Sequence, residues 1–138
     1  MATTTYVPIE IKTLASATNS ITFSTIPQTY TDLVLVFNGG LATGNDLIYA
    51  QVGNGSIDTG ANYSGTFMYG AGSSTATGRS TNQNYATIIG WAIGVSANAT
   101  SIVNFQNYSN TTTNKIIISR TGQPSNGIQL SALLWRSN

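Results

Sequence analysis

Ile128-Gln129-Leu130-Ser131-Ala132-Leu133-Leu134-Trp135 is the stretch on which the fold turns. Ile128, Leu130, Ala132 and Leu134 alternate with Gln129, Ser131 and Leu133, and the run ends at Trp135. Period-two spacing of apolar side chains is the mark of a β-strand with two unlike faces. The same spacing recurs upstream. Val7, Ile9 and Ile11 alternate with Pro8, Glu10 and Lys12; Pro8 has no N–H, which predicts an edge strand or a strand start. Ile21 and Phe23 alternate between Thr22 and Ser24 until Pro27 stops the run. Residues 33–37, Leu-Val-Leu-Val-Phe, are apolar on both faces and predict a central strand covered on both sides. Asn38-Gly39-Gly40 closes it, and residues 47–52 form the next strand, closed by Asn54-Gly55, a hairpin signal.

Tyr63, Phe67 and Tyr69 share one face of a fifth strand. Residues 70–84 lack apolar periodicity and predict the longest loop of the chain. Tyr85, Thr87, Ile89, Trp91, Ile93 and Val95 then resume the alternation, with Gly90 and Gly94 on the opposite face as marks of a bulge or a close backbone approach. A strand over 101–108, a turn over 109–114 and an apolar run at 116–118 lead to the closing stretch. About nine short antiparallel strands with turn signals every 8–12 residues read as an all-β sandwich of jelly-roll or Greek-key type. No composition break divides residues 1–138, so a single domain is expected.

Composition agrees with that class. The 138 residues include 21 Thr, 15 Ser, 14 Asn and 14 Gly, but only 7% are charged, against about 25% in typical soluble domains. Seven Tyr, four Phe and two Trp, with many β-branched residues, separate the chain from disordered sequences of low charge. One Glu and two Lys leave little to support a helix. The start of the chain has neither the basic nor the apolar region of a secretory signal, and the run at 33–37 is too short to span a bilayer, so no membrane partner is expected.

The chemistry is bounded by what the chain lacks. Histidine and cysteine are both absent, which excludes Cys/His zinc sites, cysteine nucleophiles, Ser-His-Asp triads and disulfides. The five cations, Lys12, Arg79, Lys115, Arg120 and Arg136, are scattered, so the electrostatic footprint of nucleic-acid binding is missing. The carboxylates are Glu10, Asp32, Asp46 and Asp58. Glu10 reads as a solvated strand position and Asp32 and Asp46 as turn residues that bond local backbone. None makes a compelling glycosidase pair, and the Asp-x-Asp-x-Asp-Gly calcium loop is absent. Gly53-Asn54-Gly55 and Gly70-Ala71-Gly72 read as turns, since neither completes a phosphate loop. Five Asn-x-Ser/Thr sequons are near the number expected by chance for this composition. No catalytic, cofactor or metal residue is expected. The aromatics read first as core or subunit interface and second as a sugar-stacking platform.

Four strings carry a resemblance: residues 26–36 (IPQTYTDLVLV), 60–74 (GANYSGTFMYGAGSS), 107–115 (NYSNTTTNK) and 133–137 (LLWRS). In these the chain resembles small β-rich virion structural proteins of tailed bacteriophages, notably cyanophages. The resemblance implies a non-enzymatic virion component, most simply a capsid decoration protein on the head. It implies a homo-oligomer, with a trimer preferred, in contact with the major capsid protein. A tail-fibre or adhesin-type module binding host surface glycan is the alternative. Tyr69, Arg79, Asn82, Tyr85 and Trp135 are the candidate partner or glycan contacts. Family members usually continue past LLWRS, which raises the expectation that the sheet closes differently or that a neighbour supplies its last strand.

Overall fold

The computed structural model describes residues 6–94, 98–124 and 127–137. It is all-β: among the described residues there are eight strands and no helix. The strands are β1 (Leu33–Gly39), β2 (Asn45–Ala50), β3 (Tyr63–Ala71), β4 (Ser74–Gln83), β5 (Ala86–Gly94), β6 (Ala99–Gln106), β7 (Lys115–Gln123) and β8 (Gly127–Trp135). They form a six-stranded antiparallel sheet, in the order β1-β6-β7-β8-β3-β4, and a two-stranded antiparallel ribbon of β2 and β5. The ribbon lies against one face of the sheet, with β5 crossing β8, β3, β6 and β7, so the two layers make an unequal sandwich.

The core lies between these layers. Tyr63, Val103, Ile117, Leu133 and Trp135 from the sheet meet Ala86, Ile88 and Ile89 from β5. Beside them the inner face is polar. Ser101, Ser119, Thr121, Gln129 and Ser131 are all buried. Register explains why. Ser101 stands opposite Thr121, and Thr121 opposite Gln129, while Ser119 stands opposite Ser131, so a stripe of small polar side chains crosses β6, β7 and β8. What lies on this stripe is main chain. Ser119 Oγ donates a hydrogen bond to the Ile88 carbonyl, and Thr121 Oγ1 is 3.4 Å from the same oxygen. A buried carbonyl without a partner is costly, so hydroxyls are the side chains this contact needs. Thr121 Oγ1 also lies 2.8 Å from Ser101 Oγ, and Gln129 Nε2 donates to Ser131 Oγ at 2.7 Å. Gly90 permits the close approach that its sequence setting predicts, since a Cβ there would come within 2.4 Å of Gln129 Nε2.

Four expectations need correction. The run at 33–37 is an edge strand and not a covered central one: β1 pairs with β6 alone, and Val36 is 66% exposed. The predicted loop at 70–84 is mostly β4, held by pairing with β3 from Ala71–Ser74 to Tyr63–Gln83. Its threonines are β-branched strand formers, and one uncovered face accepts Thr and Ser without apolar alternation. Residues 7–12 and 21–24 are not strands; every residue from Tyr6 to Thr22 is exposed, and no sheet receives them. The closing strand β8 is not left uncovered, since it pairs with β7 on one side and β3 on the other. The side chains of Trp91 and Ile93, and residue Val95, lie outside the described residues.

Candidate functional site

The five sequence-derived contact residues do not gather in one place. Tyr69 is on β3, half-buried on the inner face, with its ring stacked on Phe67 at 6.4 Å between centroids. Arg79 is on β4 opposite Thr66, exposed on the other face. Asn82 sits at a β-bulge, where the β3–β4 register shifts and its own φ is 54°; its Oδ1 accepts a hydrogen bond from Arg136 Nη2 at 3.0 Å. Tyr85 packs on Tyr49, with centroids 4.1 Å apart, at the end of the β2–β5 ribbon. Burial raises the pKa of the Tyr49 phenol, with smaller contributions in the same direction from Tyr85 and Asp46.

Trp135 is not a surface contact. It is 6% exposed within its own chain and stacks on Tyr63, its cross-strand neighbour, at 6.5 Å. Its indole Nε1 donates to Asp58 Oδ2 at 2.6 Å. Asp58 also accepts from Asn62 Nδ2 at 2.9 Å and from the Gly60 N–H at 2.8 Å. These donors, the indole first, hold its carboxyl below the usual carboxylate range against a smaller opposing effect of burial. Tyr63 Oη accepts from the Val52 N–H at 3.0 Å and lies 3.1 Å from the Asp58 carbonyl. Burial raises the pKa of that phenol. The arrangement is a staple that fastens residues 52–62 to the end of the sheet. Of the other carboxylates, Asp32 accepts from the Asn107 N–H at 2.6 Å, Asp46 from the Leu47 N–H at 2.7 Å, and Glu10 pairs with Lys12 at 3.0 Å. Among the described residues no three acidic side chains come together.

The surface with the most unspent binding capacity is the outer face of the six-stranded sheet. Val36 on β1, Ile102 on β6, Leu130 on β8 and Met68 on β3 occupy one row across the strands, interrupted at β7 by Arg120. Ile116 and Ile128 extend it at opposite ends; Ile128 is 71% exposed and Met68 56%. With Val34, these apolar side chains present on the order of 600 Å² to solvent, at the top of the range for the largest patch on a typical monomer and near the ~800 Å² per partner of a standard protein interface. The cations on this face are Arg79 and Arg120, with Arg136 at its margin bonded to Ser64 Oγ.

A second unpartnered feature is the segment before β1. Residues 6–12 expose Tyr6, Val7, Ile9 and Ile11, the last at 83%. Lys12 Nζ donates to the Thr22 carbonyl at 2.6 Å and lies 5.4 Å from the Phe23 ring, which closes residues 13–21 into a loop. Nearer β1 the chain is clasped to the β6–β7 connection: Tyr108 Oη donates to the Pro27 carbonyl, Ser109 Oγ to the Tyr30 carbonyl at 3.0 Å, and the Tyr108 N–H to the Thr31 carbonyl at 3.2 Å.

Sequence reasoning did not identify the outer face. Its signal was present in the apolar residues on both sides of the runs at 33–37 and 116–118. No protein family model, no characterised protein and no solved structure matches this chain.

Proposed function

We propose that the chain is a non-enzymatic virion structural protein of a tailed bacteriophage, a decoration protein on the head surface that works as a homo-oligomer against the major capsid protein. The observation that carries this reading is the exposed apolar sheet face beside an exposed apolar arm. Such surfaces suit a protein that functions within an assembly, where large apolar patches are interaction sites. Low net charge fits as well, because charged side chains are the usual means of keeping sheet edges apart. The resemblance of four strings to small phage structural proteins is the reason for placing it in a phage particle. The reading includes no catalytic step: incubation with polysaccharide or peptidoglycan is expected to release nothing, and turnover abolished by Asp58→Asn would refute it.

Gold-labelled antibody against this protein on intact particles is the direct test, with label expected over heads. A tail-fibre or adhesin-type role has one observation in its favour, the Tyr49–Tyr85 pair, since partly exposed aromatic rings can stack on sugars. Label confined to the tail would transfer the assignment to that role, and unlabelled particles would end both.

A further inference from the structure

Two unsatisfied features of this chain are complementary. The free edge of β1 reads Leu-Val-Leu-Val-Phe-Asn-Gly, with no charge and no proline along it. A long apolar edge without these devices invites another strand. The opposite edge, β4, reads Ser-Thr-Ala-Thr-Gly-Arg-Ser-Thr-Asn-Gln and offers an apolar strand little to match. Residues 6–12 have strand periodicity, with Val7, Ile9 and Ile11 on one side, yet they touch no sheet of their own chain. Pro8 suits a strand bonded on one side only, because its missing N–H then faces outward.

We propose that residues 6–12 of one copy add as a strand to the free β1 edge of a second copy, with Val7, Ile9 and Ile11 extending the row begun by Val34 and Val36. This arm exchange rests on the oligomeric reading above and names the contact by which the copies join. The donor is another copy because the single chain leaves both halves of the contact exposed. The clasp at residues 27–32 fixes where each arm leaves its own body.

The absence of cysteine makes the test direct. Copies carrying Val7→Cys, Ile9→Cys or Ile11→Cys are mixed, under mild oxidation, with copies carrying Val34→Cys or Val36→Cys. At least one arm position is expected to form an interchain disulfide with β1, because cross-strand neighbours fall within disulfide reach. A Thr77→Cys partner on β4 is expected to form none. Deletion of residues 1–12, or Val36→Lys, is expected to weaken self-association about tenfold or more in sedimentation velocity while leaving unchanged the urea midpoint measured at dilutions where the parent chain is monomeric. The proposal is overturned if no arm position cross-links to β1, if the arm prefers β4, or if the deleted protein associates as before. A monomer that still labels heads would defeat the arm exchange alone; an arm-exchanged oligomer absent from particles would defeat only the functional reading.

Discussion

The two faces of the six-stranded sheet divide their chemistry unusually: the covered inner face sets a buried polar stripe beside its apolar core, and the outer face exposes a row of apolar side chains. The inner face, under the β2–β5 ribbon, holds the serine, threonine and glutamine stripe. The outer face, over which the described residues place no second layer, holds Val36, Met68, Ile102, Ile116, Ile128 and Leu130. In a sheet with a single covered face, apolar side chains are expected inside. The inner layer departs from that rule because the ribbon meets the sheet there through backbone, and a carbonyl needs hydroxyl donors more than it needs methyl groups. The outer face departs from it in the way the proposed assembly requires: on that proposal, what is surface for one chain is interior for the oligomer.

Substitutions sharpen the contrast, and the largest effect belongs to the inner face. Tyr63→Ala removes the ring under Trp135 and the phenol's hydrogen bonds to Val52 and Asp58 in the 52–62 segment. Its expected cost is about 3–5 kcal/mol, read as a fall in urea midpoint. Ser119→Ala leaves the Ile88 carbonyl with only the long contact from Thr121, an expected loss of about 1–3 kcal/mol by the same measurement. An unchanged midpoint would mean that water or Thr121 replaces the hydroxyl and that the stripe is not there to satisfy β5.

Asp58→Asn comes next, at about 1–2 kcal/mol near neutral pH, since it weakens charge-assisted bonds to the indole and backbone. Its pH signature is distinctive. The folded carboxyl titrates below its unfolded value of about 4, so its contribution is full above that value and disappears as pH falls toward the folded pKa. Acid titration followed by Trp fluorescence should therefore show a shallower loss of stability below about pH 4 in Asp58→Asn than in the parent chain. The smallest effect on folding belongs to the outer face. Ile128→Ser or Met68→Ser should alter the stability of the isolated chain by no more than about 0.5 kcal/mol. A larger loss would show that this face is covered within one chain.

The strand class and most strand positions were legible in the sequence, because period-two spacing is a local property. The face assignment was not. In the stretch at 128–135 the spacing shows that Ile128, Leu130, Ala132 and Leu134 share a side, but which side faces the core depends on the ribbon that lies across Ser119 and Thr121 from another part of the chain. Residues 7–12 misled because their spacing is that of a strand, while among the described residues no strand of their own chain pairs with them. Residues 74–83 were missed because a strand exposed on one face needs no apolar alternation. Trp135 was legible as a buried group and illegible as to what buries it, since its partner Asp58 lies far away in sequence.

The order β1-β6-β7-β8-β3-β4 also sets a timetable. β7 and β8 are consecutive strands paired from Gln123–Gly127 onward, and β3 and β4 from Ala71–Ser74 onward, so these hairpins form on the microsecond scale. The β1–β6 and β3–β8 ladders are of a different kind. Leu33 beside Phe105, and Tyr63 beside Trp135, each join residues about 70 positions apart, and the entropy of closing such loops is lost before their contacts return any of it. The two preformed hairpins must therefore find each other through β3 and β8 in a search of milliseconds to seconds. During that interval the isoleucines of β7 and β8 stand open on both sides, and the crowding of other nascent copies decides whether the sheet closes on itself or aggregates first.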